Sequence, residues 1–150
     1  MKYYILLLTT LILIGCNTEP KTIEQPAVTN KVDNAFAKAK PVLDSTRYNV
    51  AFLIMDGTFN TELTAPFDIF QHTIYRENIK AMNVFTVANT LQPVRTFEGI
   101  YLLPDFDYTN KDLPKIDILV VPSAEHHLDT DLEDEALINF VKQVDKEAMY

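Results

Sequence analysis

Apolar residues along the chain gather into runs of two periods. Val50 to Met55 are apolar without a break, and the run stops at Asp56-Gly57. A stretch with no polar alternation needs cover on both faces, so residues 49–55 predict a buried strand of a parallel sheet flanked by helices. A short polar loop follows. Apolar positions then restart at Leu63, Phe67, Phe70 and Ile74, spaced 4, 3 and 4. That spacing predicts a helix from about 64 to 76, with Pro66 in the first turn, where no amide donor is required. MNVFTVA at 82–88 predicts a second strand, and residues 94–103, with Glu98-Gly99 at the middle, a hairpin or bent ribbon. IDILVV at 116–121, stopped by Pro122, predicts a third buried strand. Thr130-x-x-Glu133 reads as a capping box. Asp131, Glu133, Asp134 and Glu135 crowd the positive end of a helix that carries Leu137, Ile138, Phe140, Val141 and Val144. The order β-α-β-hairpin-β-α describes an open α/β fold.

The N-terminus changes the picture of where this domain works. Lys2 precedes an apolar run from Tyr3 to Ile14 broken only by Thr9 and Thr10. The run is shorter than the roughly 20 residues of a membrane-spanning helix and suits the core of a signal peptide. It ends Leu13-Ile14-Gly15-Cys16, which resembles the lipobox of bacterial lipoproteins: a branched residue, a small one, then the cysteine that receives the lipid. The alternative is an ordinary secretory signal with an incidental Cys16. The resemblance implies cleavage before Cys16 and a triacylated N-terminus, a stable anchor because it carries more than one acyl chain. Asn17 at the next position points to the outer membrane of the cell envelope. Residues 16–47, rich in Thr, Pro, Lys and Ala, then read as the lipidated cysteine and a flexible tether, with a short helix over 32–43 as the alternative for part of it. The expected division is a signal at 1–15, the tether at 16–47 and the α/β domain at 48–150.

Composition and charge narrow the partners. The 150 residues are 47% hydrophobic, enough for one domain with a core. The charge is −8 overall, and residues 48–150 alone carry −10. An acidic body without a basic stripe excludes nucleic acid as the expected partner. A single cysteine, Cys16, excludes an internal disulfide. The only glycines are Gly15, Gly57 and Gly99, so no Gly-rich phosphate loop is present and no cofactor is expected.

The chemistry-bearing residues are few. Glu62 sits where the first turn becomes helix; the alternative to a functional reading is a solvated acid stabilised by the helix dipole. Ser123, His126, His127 and Asp129 share one loop, whereas catalytic triads are assembled by the fold and not by neighbours on one loop. His126-His127 beside Glu125, Asp129 and Asp131 are adjacent side chains that diverge, and no second histidine pair completes a metal shell. The loop reads as solvated and acidic. His72 reads as surface, and Phe67, Phe70 and Phe85 as core.

Three stretches resemble the ThiJ/PfpI family of the class I glutamine-amidotransferase-like superfamily, closest to the branch of isonitrile hydratases and the amidase-like domains of AraC-type regulators. They are Phe52-Leu53-Ile54-Met55-Asp56-Gly57 with Glu62-Leu63-Thr64-Ala65-Pro66-Phe67-Asp68-Ile69-Phe70; Gly99-Ile100-Tyr101-Leu102-Leu103-Pro104-Asp105; and Pro114-Lys115-Ile116-Asp117-Ile118-Leu119-Val120-Val121-Pro122. Together they cover about 48–148 and correspond to the family's N-terminal half. The resemblance implies a flavodoxin-like sheet and a cysteine nucleophile on a strand-to-helix elbow. It makes Glu62 the supporting carboxylate. Gly57, Ser123 and Ala124 become pocket positions, Ser123-Ala124 standing where the family commonly has Gly-Gly and its amides form an oxyanion pocket. The elbow would follow the helix that ends near Asp145. The expectation is therefore a truncated, catalytically inactive relative of cysteine-dependent hydrolases, hydratases and amidases, carried on a lipid anchor. The alternative is a non-catalytic lipid-anchored module that binds a small molecule or a protein, with a second copy or a complementing chain as partner. A transcription regulator is disfavoured, because the DNA-binding helices are absent and a lipoprotein is exported.

Overall fold

A computed structural model describes residues 38–148. Cys16, the signal segment and the tether up to residue 37 lie outside them, and residues 38–43 carry no helix. Four strands form one parallel sheet: β1 (Tyr48–Leu53), β2 (Met82–Ala88), β5 (Phe106–Asp107) and β6 (Ile118–Val120), in the order β5-β2-β1-β6. Central β1 pairs with β2 from Tyr48↔Met82 to Leu53↔Val87, and with β6 from Val50↔Ile118 to Phe52↔Val120. An antiparallel ribbon, β3 (Val94–Arg95) and β4 (Tyr101–Leu102), stands apart from this sheet.

The period of two along each strand divides the core between the faces. Val50, Phe52 and Ile54 pack with Leu63, Phe67 and Phe70 of helix α1 (Asn60–Gln71). Ala51, Leu53, Phe85 and Val87 pack with Leu137, Phe140 and Val144 of helix α2 (Glu135–Glu147). Phe52 is fully buried, with ring centroids 5.1 Å from Phe67 and 6.0 Å from Phe70. The unbroken apolarity of β1 follows from this sandwich; the fold is the open α/β arrangement that the sequence pattern predicts, and its sheet is flavodoxin-like, as the family resemblance implies.

Several details differ from the sequence reading. Helix α1 begins at Asn60, four residues earlier than expected, and ends at Gln71 in a short 3-10 turn, His72–Tyr75. Its start is set from outside the segment: the Asn60 N–H donates to Glu98 Oε2 of the ribbon at 3.1 Å, while the N-cap, Phe59, has no capping side chain. Pro66 consequently lies inside the helix, where it withholds the N–H that the Glu62 carbonyl would accept. The expected capping box gives way to two separate caps. Thr130–Glu133 is its own 3-10 turn, and Asp134 caps α2 by accepting from the Leu137 N–H at 3.0 Å. Strand β6 is half-buried, because it is the edge of the described sheet. Strand β5 was not anticipated: two residues are too few to carry a period.

Candidate functional site

The turn after β1 and the loop after β6 meet at the carboxyl ends of the central strands. Thr58, fully buried, closes the first turn by donating its hydroxyl to the Met55 carbonyl at 2.8 Å and accepting from the Met55 N–H at 3.0 Å. The ribbon holds the same turn from one side. The Gly57 N–H donates to the Arg95 carbonyl at 2.8 Å, and the Arg95 N–H to Asp56 Oδ1 at 2.8 Å. The β6 loop holds it from the other. The Phe59 N–H donates to the Ser123 carbonyl at 2.9 Å, and the Glu125 N–H to the Gly57 carbonyl at 3.0 Å, flanking the antiparallel bridge Thr58↔Ala124. Gly57 has φ +81°, and a Cβ there would stand 2.8 Å from Glu125 Cβ. Only glycine satisfies both the backbone conformation and the close approach.

On this frame the first turn of α1 brings Glu62 over the β6 loop. Its Oε2 accepts from the Ser123 N–H at 2.8 Å, across 61 positions of sequence. Hydrogen bonding from Ser123, by side chain and by backbone, holds this exposed carboxyl below its ordinary range; burial works against it, and the nearby His127 adds the smallest contribution in the lowering direction. Glu62 is therefore an ionised acceptor at neutral pH. The next amide is also engaged: the Ala124 N–H donates to His127 Nδ1 at 3.2 Å, and the same ring nitrogen lies within hydrogen-bond reach of the Ala124 carbonyl.

Gly57, Glu62, Ser123 and Ala124, singled out along the sequence, are thus brought together, and Cys16 lies outside the described residues. Gly57 presents its backbone to its neighbours and lines no open space on its Cβ side. The amides of Ser123 and Ala124 are both spent on internal acceptors in this conformation. The two adjacent histidines do diverge. His126 Nδ1 lies 3.6 Å from Asp129 Oδ1, while His127 turns to Ala124. Among the described residues no group of three or more His, Cys, Asp or Glu side chains is placed to hold a metal. Sequence reasoning missed Glu98 as the cap of α1 and His127 as the partner of Ala124. The first is a contact across 38 positions with no local signal. The second is three positions apart, and its signal is only the turn that the loop was expected to make.

A groove of about 870 Å³ lies beside this frame, between α1 and the end of the ribbon, lined by Leu63, Phe67, Tyr101, Leu102, Leu103 and Asp105 among others. Neither Glu62 nor Ser123 lines it.

Fold and site define an open, parallel α/β domain whose first-strand turn is laced to the loop after its edge strand. The particular fold is that of the DJ-1/ThiJ/PfpI superfamily. A ThiJ/PfpI family protein from Pseudomonas syringae superposes with a TM-score of 0.55 at 17% identity, covering 75% of this chain and 47% of that one. A two-domain protein from Anabaena variabilis with DJ-1/ThiJ/PfpI-like and ferritin-like domains gives 0.53 at 16%, covering 67% and 27%. DJ-1beta from Drosophila melanogaster gives 0.53 at 14%, covering 65% and 49%. This chain spans about a quarter to a half of the length of those three proteins. No family model and no curated protein matches it.

Proposed function

We propose that this chain is a lipid-anchored protein of the bacterial cell envelope whose DJ-1/ThiJ/PfpI-type domain performs no cysteine chemistry of its own: a catalytically inactive relative of the cysteine-dependent hydrolases, hydratases and amidases. One observation carries the reading. The carboxylate that would support a thiol, Glu62, is held by the Ser123 amide, and the described residues contain no cysteine beside it. A carboxylate held ionised by an amide is an anchor for the loop and a poor proton donor or acceptor near pH 7. No helix among the described residues is long and apolar enough to cross a membrane; the attachment we propose, from the lipobox-like stretch, is the acyl chains on Cys16.

The groove beside α1 favours a second reading for the same anchored domain, that of a non-catalytic binding module. Its volume falls within the range of small-molecule sites, and its lining is mostly apolar.

Two measurements test the proposal. Growth of expressing bacteria with an alkyne-tagged fatty acid should label the chain, and Cys16→Ser should abolish the label and release the protein from the membrane fraction. The purified chain should show no turnover on ester, amide or isonitrile panels, with no difference in Glu62→Gln. Turnover that is lost in Glu62→Gln would overturn the inactive reading, and label that persists in Cys16→Ser would overturn the anchor.

A further inference from the structure

Asp105 stands between the ribbon and β5, and its side chain is only 9% exposed. Its Oδ2 accepts from the Thr86 N–H at 2.9 Å and from the Thr86 hydroxyl at 3.0 Å. Both of these bonds fall on one oxygen. The other, Oδ1, meets Lys38 Nζ at 2.6 Å. A carboxylate withdrawn from water needs such a cation. Lys38 comes from the stretch 38–43 that precedes β1, and its side chain is 46% exposed. Both residues line the groove between α1 and the ribbon, whose wall includes Leu63, Phe67, Leu102 and Leu103. One rim of an apolar groove is thus a buried acid covered by the end of a lysine.

We propose that this groove takes a primary ammonium carried on an aromatic or alkyl body, and that Lys38 is its built-in occupant, holding Asp105 until a ligand amine replaces it. The proposal rests on the reading of the groove as a binding site. Charge sets the sign of the ligand. The charged side chains that line the groove are Asp68, Asp105 and Lys38, so displacing Lys38 leaves two carboxylates for the incoming head group. An anionic ligand would be repelled by both. Lys38 can leave without dismantling the stretch that carries it, because Lys40 pairs with Asp112 and Leu43 packs against the α2 side of the core. The exchange puts one ammonium in place of another on Oδ1, so the buried charge stays paired throughout. The gain comes from the ligand body, whose burial contributes about 25 cal/mol per Å² of apolar surface.

The test is a titration of the full chain with tryptamine, tryptophol and indole-3-propionate, which share one ring system and differ in the charge of the head group. The chain has no tryptophan, so indole fluorescence reports the probe alone. Tryptamine should bind about tenfold more tightly than tryptophol, the equivalent of one charge-assisted hydrogen bond, and indole-3-propionate more weakly than either. Asp105→Asn should erase the preference for tryptamine over tryptophol. Lys38→Gln should tighten tryptamine by about threefold to fivefold, the competition of one half-exposed ion pair. Equal affinity for tryptamine and tryptophol would overturn the inference and leave the groove standing as a binding site. Binding of none of the three probes would overturn both. Unchanged or weaker tryptamine binding in Lys38→Gln would overturn the role of Lys38 as occupant. If Asp105→Asn does not fold, the probe series on the wild-type chain and on Lys38→Gln decides the matter.

Discussion

Gly57→Ala separates two causes of destabilisation that this structure assigns to one position. An L-residue at φ +81° occupies the left-handed region, at a cost of about 1–2 kcal/mol. The added methyl also meets Glu125 Cβ at 2.8 Å and the Glu125 amide nitrogen at 3.2 Å. Neither is the loose end of a side chain, so the β6 loop must shift. That shift strains the Glu125 N–H to Gly57 carbonyl bond, worth roughly a further 1 kcal/mol. The expected loss is therefore about 2–3 kcal/mol. Gly99 supplies the control. Its φ is +88°, yet a Cβ there meets only Arg95 Nη2, at 3.5 Å. Gly99→Ala should lose the conformational part alone, about 1–2 kcal/mol. Urea unfolding of both variants, read as midpoint shifts at unchanged slope, measures the difference. Equal losses in the two variants would refute the steric half of the reasoning, and a loss below about 0.5 kcal/mol at Gly57 would refute both halves.

The remaining predictions concern caps and carboxylates. Asp134→Ala should cost about 1 kcal/mol and increase amide exchange at Leu137, because Asp134 is the side-chain cap of α2; the Thr130→Ala variant should cost α2 less. Two carboxyls should shape the acid limb of stability in opposite directions. The Glu62 value is lowered on folding by Ser123, so its contribution is present above the unfolded value of 4.5 and is lost as pH falls through the folded one. Glu62→Gln should flatten the acid limb accordingly. The Asp131 value is raised, first by burial, and its Oδ2 is buried without a hydrogen-bond partner. Its contribution is present below the unfolded value of 3.8 and is lost as pH rises through the folded one. Asp131→Asn should therefore raise the neutral-pH denaturation midpoint relative to wild type, and a lowered midpoint would count against the assignment.

What the sequence made legible follows the range of the interactions involved. Strand β1 was plain because both of its faces are covered, so burial left no polar position in Val50–Met55 to confuse the period. The ribbon was plain because Glu98-Gly99 breaks two apolar stretches, and Gly99 does hold a positive φ. The start of α1 was not, because the donor at Asn60 is satisfied by Glu98, and a local pattern cannot register an acceptor 38 positions away. Pro66 misled for the same reason: a proline signals a first turn only when the helix start is set locally. At the second helix two signals competed within five residues. Thr130-x-x-Glu133 has the local form of a capping box, yet Asp134 takes the cap, and from there Leu137, Phe140 and Val144 reach the sheet. The site divides in the same way. Glu62 and Ser123 could each be named from the sequence, but their bond could not. It exists because parallel pairing of β1 with β6 places the two strand ends side by side, and Gly57 lets the loops close to within the width of a side chain. The carboxylate's position was local information; its bond to the Ser123 amide belongs to the sheet.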